Sequence, residues 1–264
     1  MAIRVVVSGS GRMGREVLSA IHREEGLEPV GVVDLFATGD TIALPDGSTV
    51  IPFDSDAAMV IKTTRPDVAV DFTTAEWTPR LAEAALAAGV RLVIGTSGLS
   101  NDFVQRLAQE CEKRQLGAVI APNFALGAIL MQHMAKTAAQ FYQSAEIIEL
   151  HHDQKADAPS GTAIATAKGM AEARGKPFVR AQTQRENLAG TRGGEQDGVS
   201  IHSVRLPGLI AHQEVILGSP GELLTIRHDT LGRESFMPGV ILAIRHVMDH
   251  PGLVVRLERL IGLE

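Results

Sequence analysis

The chain has 264 residues, 45% of them hydrophobic, a single cysteine and a formal net charge of −6. That length supports one large or two smaller domains with a sizeable core. The acidic balance and the lack of a long basic stretch exclude a dedicated nucleic-acid or membrane-surface role, though not a small anionic substrate.

The N-terminus, Met1 to Val7, runs straight into a strand pattern, with no charged region ahead of a long apolar run. No apolar stretch approaches membrane-spanning length, so a cytoplasmic protein without membrane partners is expected. Ile3 to Val7 has the β-branched character of a buried parallel strand. Gly9-Ser10-Gly11-Arg12-Met13-Gly14 follows at once. Then come a helical pattern, Arg15 to Glu24, and a strand from Pro29 to Val33 that leads into Asp34. This is G-x-G-x-x-G between a strand and a helix, with an acid 20 residues beyond the last glycine. The glycines allow a tight turn and close approach to a pyrophosphate, the helix start holds the phosphates, and the acid accepts from a ribose hydroxyl. A glycine-rich turn in another α/β fold would use the same letters. The strand, helix and acid together favour a dinucleotide.

Residues 37–54 read as a loop or small hairpin. A helix–strand rhythm then resumes: helix Ser55–Thr63, strand Val68–Asp71, helix Thr78–Ala88, strand Val90–Ile94, helix Asn101–Gln115, strand Gly117–Ile120. Cys111 lies within that last helix among charged neighbours, an inert position with no disulfide or metal-ligand partner. Alternation of this kind predicts a Rossmann-type doubly wound parallel sheet, with ligands beyond the carboxyl ends of its strands. Those ends carry Gly9–Gly14, Asp34, Asp71–Thr74, Gly95-Thr96-Ser97-Gly98 and Ala121-Pro122-Asn123-Phe124. Asn123 and Phe124 are placed to border a nicotinamide ring, or equally to serve as structural turn residues.

Leu126 to Gln143 is a long helix whose Met and Leu stripe and His133 read as packing residues. A strand over 145–151 delivers two adjacent histidines, His151 and His152. Lys155 follows, and Ala158-Pro159-Ser160-Gly161-Thr162 opens a helix that runs to Arg174. Ser160 can cap that helix, leaving the amides of Gly161 and Thr162 among its unpaired first-turn donors. A helix start with a lysine before it suits a carboxylate or phosphate, and histidines exchange protons near neutral pH. Three readings share these residues. They are a substrate site for a small anion in a proton-coupled reaction, a solvated surface loop, and a metal site. Neighbouring histidines on a strand point to opposite faces, which disfavours the metal.

Residues 175–199 are rich in glycine and charge and read as a mobile loop or an ordinary exposed connection. Val199–Arg205, His212–Leu217 and Glu222–His228 then read as antiparallel meandering strands, and Ser235–Met248 as a final amphipathic helix. The expected architecture is α/β, with a dinucleotide-binding domain over 1–124 and 234–264. A second α+β domain over 125–233, with a mostly antiparallel or mixed sheet, would bind substrate and mediate oligomerisation.

The segment Glu149-Leu-His-His-Asp-Gln-Lys-Ala-Asp-Ala-Pro-Ser-Gly-Thr-Ala163 resembles the signature of the 4-hydroxy-tetrahydrodipicolinate (dihydrodipicolinate) reductase family. Val70-Asp-Phe-Thr73, Gly95–Gly98, Ala121–Phe124, Arg205–Glu214 and Thr225–Asp229 extend the likeness along the chain. The resemblance implies an enzyme of lysine and diaminopimelate biosynthesis, usually homotetrameric, that reduces a cyclic imine dicarboxylate with NADH or NADPH and releases water. It implies His151 as proton donor and acceptor and Lys155 as proton donor. His152, Ser160, Gly161 and Thr162 are implied at the substrate carboxylate. Gly9, Ser10, Gly11, Arg12, Met13, Gly14, Asp34, Gly95, Thr96, Ser97, Ala121, Pro122, Asn123 and Phe124 are implied at the cofactor, with no metal. Arg233 lies at the return hinge. The glycine loop is one residue shorter than in many members, and Ser97 stands where threonine is commoner. After Asp34 come Leu35 and Phe36 rather than an arginine, so a 2′-phosphate would meet a carboxylate without a close cation. NADH is therefore expected to be preferred, with NADPH tolerated through Arg12. The same scaffold also serves other dinucleotide-dependent imine or amino-acid oxidoreductases and non-catalytic dinucleotide sensors.

Overall fold

The computed structural model describes residues 2–263, and the chain divides into two compact units: Met1–Leu126 with Arg233–Glu264, and Gly127–Gly232.

The first unit opens with β1 (Ile3–Ser8), α1 (Arg12–Arg23) and β2 (Leu27–Val33). The hairpin β3 (Thr41–Ala43) and β4 (Val50–Asp54) follows, then α2 (Ala57–Thr64), β5 (Val68–Asp71), α3 (Thr78–Ala87), β6 (Arg91–Ile94), α4 (Asn101–Arg114) and β7 (Gly117–Ile120). Side-chain caps set two helix starts. Asp56 accepts from the Ala58 and Met59 amides of α2, and Ser100 from the Phe103 amide of α4. The β-branched runs are buried on both faces, as parallel strands flanked by helices must be. Cys111 is fully buried among α3 and α4, and burial pushes its thiol up to about 11, which makes it unreactive.

In the second unit, α5 (Leu126–Ala139) leads to β8 (Ser144–His151), α6 (Gly161–Arg174), β9 (Gly194–Gln196), β10 (Val199–Arg205), β11 (Ala211–Ser219) and β12 (Glu222–Thr230). The chain then returns to the first unit through a short 3-10 turn, Arg233–Phe236, α7 (Met237–Asp249) and β13 (Gly252–Val255).

Sheet one runs β13-β7-β6-β5-β1-β2-β4-β3, and every neighbouring pair is parallel except β3–β4. The chain moves outward from β1 in both directions, so the carboxyl ends of β1, β2, β5, β6 and β7 share one edge, with the switch in direction at β1. Sheet two runs β12-β11-β8-β10-β9. Its helix-covered face is built by alternation along β8. Ala145 and Ile147 are buried, and they join Ile201, Val215 and Leu217 against Met131, Ala135 and Ala139 of α5 and Ala163, Ala167 and Met170 of α6. The alanines let the helices sit close, and each large side chain buried there contributes about 1.5–3 kcal/mol.

Several boundaries and pairings differ from the sequence expectation. Helix α1 starts at Arg12 rather than Arg15, because Gly11 already serves as N-cap. Helix α5 ends at Ala139, not Gln143, and of its stripe Met131 is buried whereas Leu130 and Met134 are exposed. The last strands are not a simple meander. Strands β11 and β12 form an antiparallel hairpin, but β8 inserts between β10 and β11, and β10 pairs with it in parallel. Residues 175–199 are not a free loop. Phe178 is buried, Arg180 donates to Ser200 Oγ and to the Arg192 carbonyl, Arg192 pairs with Glu146, and β9 pairs with β10. Strand β13 has no counterpart in the sequence reading, where Leu253-Val254-Val255 is too short to stand out from a C-terminal tail.

Candidate active site

In the first unit, α1 begins over the turn after β1. Its N-cap, Gly11, carries no capping side chain, and no acid lies in the first turn, so the donors of Arg12, Met13 and Gly14 are left for another partner. Gly9 has φ +100°, a left-handed conformation that favours glycine. A Cβ on Gly14 would lie 1.9 Å from the Gly9 carbonyl oxygen, so helix and turn can touch only because residue 14 is glycine. Beside Gly11, by contrast, nothing lies within 4 Å of a Cβ position. Open space at an uncapped helix start fits a pyrophosphate. At the end of β2, Asp34 Oδ2 accepts from the Ser10 amide at 2.6 Å and the Ser10 hydroxyl at 2.7 Å, and Oδ1 accepts from the Phe36 amide at 2.9 Å. Burial alone would raise this carboxyl. The hydrogen bonds from Ser10 and Phe36 outweigh it and hold the group below the usual carboxylate range. Asp34 therefore braces the glycine turn as well as presenting an anion, a double role the sequence did not reveal.

The neighbouring turns are joined by a buried acid. Asp71 accepts from the hydroxyls of Thr73 at 2.6 Å, Thr78 at 2.5 Å and Thr96 at 3.0 Å, and the Thr73 amide donates to Thr96 Oγ1 at 3.1 Å. The Thr96 side chain is thus consumed in bracing, while Ser97 beside it is exposed. The Phe72 ring covers Gly95, where a Cβ would fall 2.0 Å from the ring, and packs against Phe124 with centroids 5.3 Å apart. Phe124 is 1% exposed and Asn123 Oδ1 accepts from the Ala125 amide at 2.9 Å, so both side chains act as turn residues. Of the two residues placed at the nicotinamide from sequence, Phe124 is buried in the core and Asn123 is half-buried with its Oδ1 taken by the turn. The half-buried Phe72 is the aromatic nearer the surface of this edge. Ala121 is buried, whereas Pro122 and Arg12 are exposed.

In the second unit, β8 ends at His151, and residues 152–160 turn back to α6. Ser160 Oγ accepts from the Ala163 amide at 3.2 Å, which leaves the Gly161 and Thr162 amides without an intrahelical acceptor. Beneath this helix start lies Glu149, fully buried on the alternating face that carries Ala145 and Ile147. Its carboxylate takes a bidentate pair from Arg205, Nη1 at 2.9 Å and Nη2 at 2.8 Å. It also lies 2.5 Å from His151 Nδ1 and accepts from the Ser160 amide at 3.3 Å. Burial would raise the Glu149 carboxyl, but hydrogen bonds from Arg205, Ser203 and His151 hold it below the usual range. Arg205 also donates to the Asp157 carbonyl at 2.8 Å, tying the loop to the end of β10. The Lys155 ammonium holds Asp157 Oδ1 at 2.6 Å and keeps two further donors. Burial pushes the His151 imidazole down, Glu149 pushes it up, and the charges of Lys155 and Arg205 push it down again, for a net lowering. His152 is exposed at the loop surface.

Comparison with known proteins bears on these sites. Residues 3–124 match the model for "Dihydrodipicolinate reductase, N-terminus", and residues 127–261 match that for "Dihydrodipicolinate reductase, C-terminus". The chain belongs to the dihydrodipicolinate reductase family. The 4-hydroxy-tetrahydrodipicolinate reductase of Dehalococcoides mccartyi is 50% identical over 262 residues, 99% of each chain. That of Moorella thermoacetica is 50% identical over 264 residues, 98% of each. A solved dipicolinate-bound dihydrodipicolinate reductase from Paenisporosarcina sp. TG-14 aligns with TM-score 0.87 and 42% identity over 98% of this chain and 99% of its own. The family likeness expected from the 149–163 segment is borne out, as is the two-sheet fold, and the chain is an oxidoreductase of diaminopimelate and lysine biosynthesis. No helix among the described residues is long and apolar enough to cross a membrane.

The structure brings His151, Ser160 and the Gly161–Thr162 amides together around Glu149, with Lys155 held close through Asp157. The sequence reading singled out neither Glu149 nor Arg205 as functional. A signal was present for the acid, since Glu149 stands where the Ala145, Ile147 alternation calls for an apolar side chain. Arg205 lies 56 residues further on, and nothing local announces the contact.

Proposed function

We propose that this chain reduces 4-hydroxy-tetrahydrodipicolinate to tetrahydrodipicolinate with release of water. His151 and Lys155 would handle protons, and the start of α6 would hold a substrate carboxylate through the Gly161 and Thr162 amides, with Ser160 and His152 beside it. The observation that carries this reading is the helix start whose cap spares two amides, set beside an oriented histidine and a lysine. Two amides, an ammonium and an imidazole suit a dicarboxylate that gains a proton. Bound reduced nicotinamide supplies the hydride. Hydride addition to a ring conjugated with C=N leaves negative charge that one proton must neutralise. Burial and the charges of Lys155 and Arg205 hold the His151 imidazole below its usual range against the pull of Glu149, and both His151 and Lys155 stand where the proton is needed.

The residues at the start of α1 fit a dinucleotide, and those at Asp34 support NADH over NADPH. The carboxylate stays ionised, and Leu35 and Phe36 supply no cation. A charge facing a charge near 4 Å costs about 4 kcal/mol at an effective dielectric of about 20. Partial relief by Arg12 leaves at least a ~10-fold preference in kcat/KM. A homotetramer formed through the second unit is supported by the face of sheet two opposite Ile147. There Ile148, Leu150, Val204 and Ile216 are only half buried. A cytoplasmic location is proposed with the biosynthetic role.

The direct test is oxidation of NADH and of NADPH with substrate freshly generated from pyruvate and aspartate semialdehyde. Turnover with NADH the better cofactor is expected. No turnover with either cofactor overturns the substrate assignment, and a strong NADPH preference overturns the reading of Asp34.

A further inference from the structure

We propose that Glu149, held by Arg205, is the positioning residue that fixes His151 in a single tautomer, with Nδ1 protonated and Nε2 free to exchange the reaction's proton. The proposal rests on the reading of His151 as a proton carrier.

The geometry is that of an oriented acid behind an imidazole. Glu149 Oε2 lies 2.5 Å from Nδ1 of a ring only 15% exposed, and the acid itself is fully buried. An ionised carboxylate only accepts hydrogen bonds, so the facing nitrogen must carry the hydrogen, and the neutral ring keeps its lone pair on Nε2. Arg205 makes the ionised form durable. A guanidinium does not deprotonate in a protein, and its fork meets both carboxylate oxygens. A lone buried acid would neutralise itself instead. The Ser160 amide adds the helix start to the same carboxylate, so one group registers the end of β8, the start of α6 and the end of β10.

The charged groups that face His151 are Glu149 on its own strand, Arg205 at the end of β10 and Lys155 in the loop. Only Glu149 favours the imidazolium. Removing its charge leaves burial, Lys155 and Arg205, all of which disfavour it. The ring's titration must then move to lower pH, and the limb of the pH–activity profile set by His151 moves with it.

The decisive measurements are nitrogen NMR of the His151 ring and steady-state kinetics of two substitutions. In the unmodified protein, at a pH where the ring is neutral, Nδ1 is expected to carry the hydrogen. Glu149→Gln offers an amide that can donate to Nδ1 and so invert the tautomer. It should lower kcat by about 10²-fold or more without raising the dicarboxylate KM, and should shift the pH limb downward. Glu149→Asp keeps the charge and should retain more kcat than Gln. A role in packing alone predicts the opposite order, because Gln preserves volume and Asp leaves a gap. An Nε2-protonated neutral ring in the unmodified protein overturns the proposal even if neither variant folds. So does a Gln variant more active than the Asp variant. Unchanged kcat in His151→Ala overturns the reading of His151 itself, and is distinguishable because the NMR result does not depend on it.

Discussion

Helix α1 starts at Gly11 with no capping side chain, and the space beside it is open. Helix α6 starts at Ser160, whose hydroxyl takes the Ala163 amide while its own amide goes to Glu149. Both are helix N-termini that suit an anion, yet one leaves all its first-turn donors unpaired by a cap and the other leaves only two. The difference tracks the ligand each suits. A pyrophosphate has many oxygens and needs close backbone approach, which a cap would block. A carboxylate needs two donors in fixed register beside a proton source, and a capped, anchored helix start supplies that register. Selectivity at α6 therefore comes from the groups around the helix start more than from the helix itself.

The largest expected effect tests what surrounds α6. Lys155→Ala and His151→Ala should each lower kcat by about 10²–10⁴-fold, with NADH affinity unchanged. If the two act on one proton, the double variant should lose much less than the product of the single losses. Stopped-flow NADH oxidation and a separate fluorescence titration of NADH read the two quantities. Near-normal turnover in the double variant would sink the assignment.

Next comes a test of close approach. Gly14→Ala places a methyl 1.9 Å from the Gly9 carbonyl oxygen, so α1 and the turn must separate. Thermal unfolding should show a loss of about 1–3 kcal/mol, and NADH affinity should fall. Gly161→Ala on α6 has open space around it and should leave stability within about 0.5 kcal/mol of the parent. Equal melting temperatures for Gly14→Ala and the parent protein would show that the turn has slack the structure does not display.

This contrast also explains what was legible in the sequence. The start of α1 could be read because its constraints are local. Gly9 and Gly14 are glycine for reasons set within six residues, and the flanking strand and helix announce themselves by periodicity. The Ser160 cap was legible for the same reason. The groups that organise the α6 site were not, since Arg205 meets Glu149 across 56 residues and across two strands whose parallel pairing breaks the expected meander. Thr96 and Phe124 were placed at the cofactor from the turns they occupy, but the first is consumed by Asp71 and the second by the core. Turn composition locates an edge without saying which of its side chains face outward.

The smallest effects give the sharpest test, because the two helix starts should respond with opposite sign. Ser160→Ala removes the cap of α6 and should cost about 1 kcal/mol, with a raised dicarboxylate KM as the register of Gly161 and Thr162 loosens. Gly11→Ser adds a cap where φ −71° and ψ −169° suit any residue and where a side chain meets nothing within 4 Å. Its hydroxyl can accept from the Met13 or Gly14 amide, so the protein without cofactor should gain a few tenths of a kcal/mol. The same hydroxyl takes a donor and the space meant for phosphate oxygen, so NADH affinity should drop while stability rises. Unfolding curves measured without cofactor, paired with NADH titrations, separate the two terms. If Gly11→Ser bound NADH as tightly as the parent, the open start of α1 would not be where the phosphates sit, and the contrast between the two helix starts would lose its functional meaning.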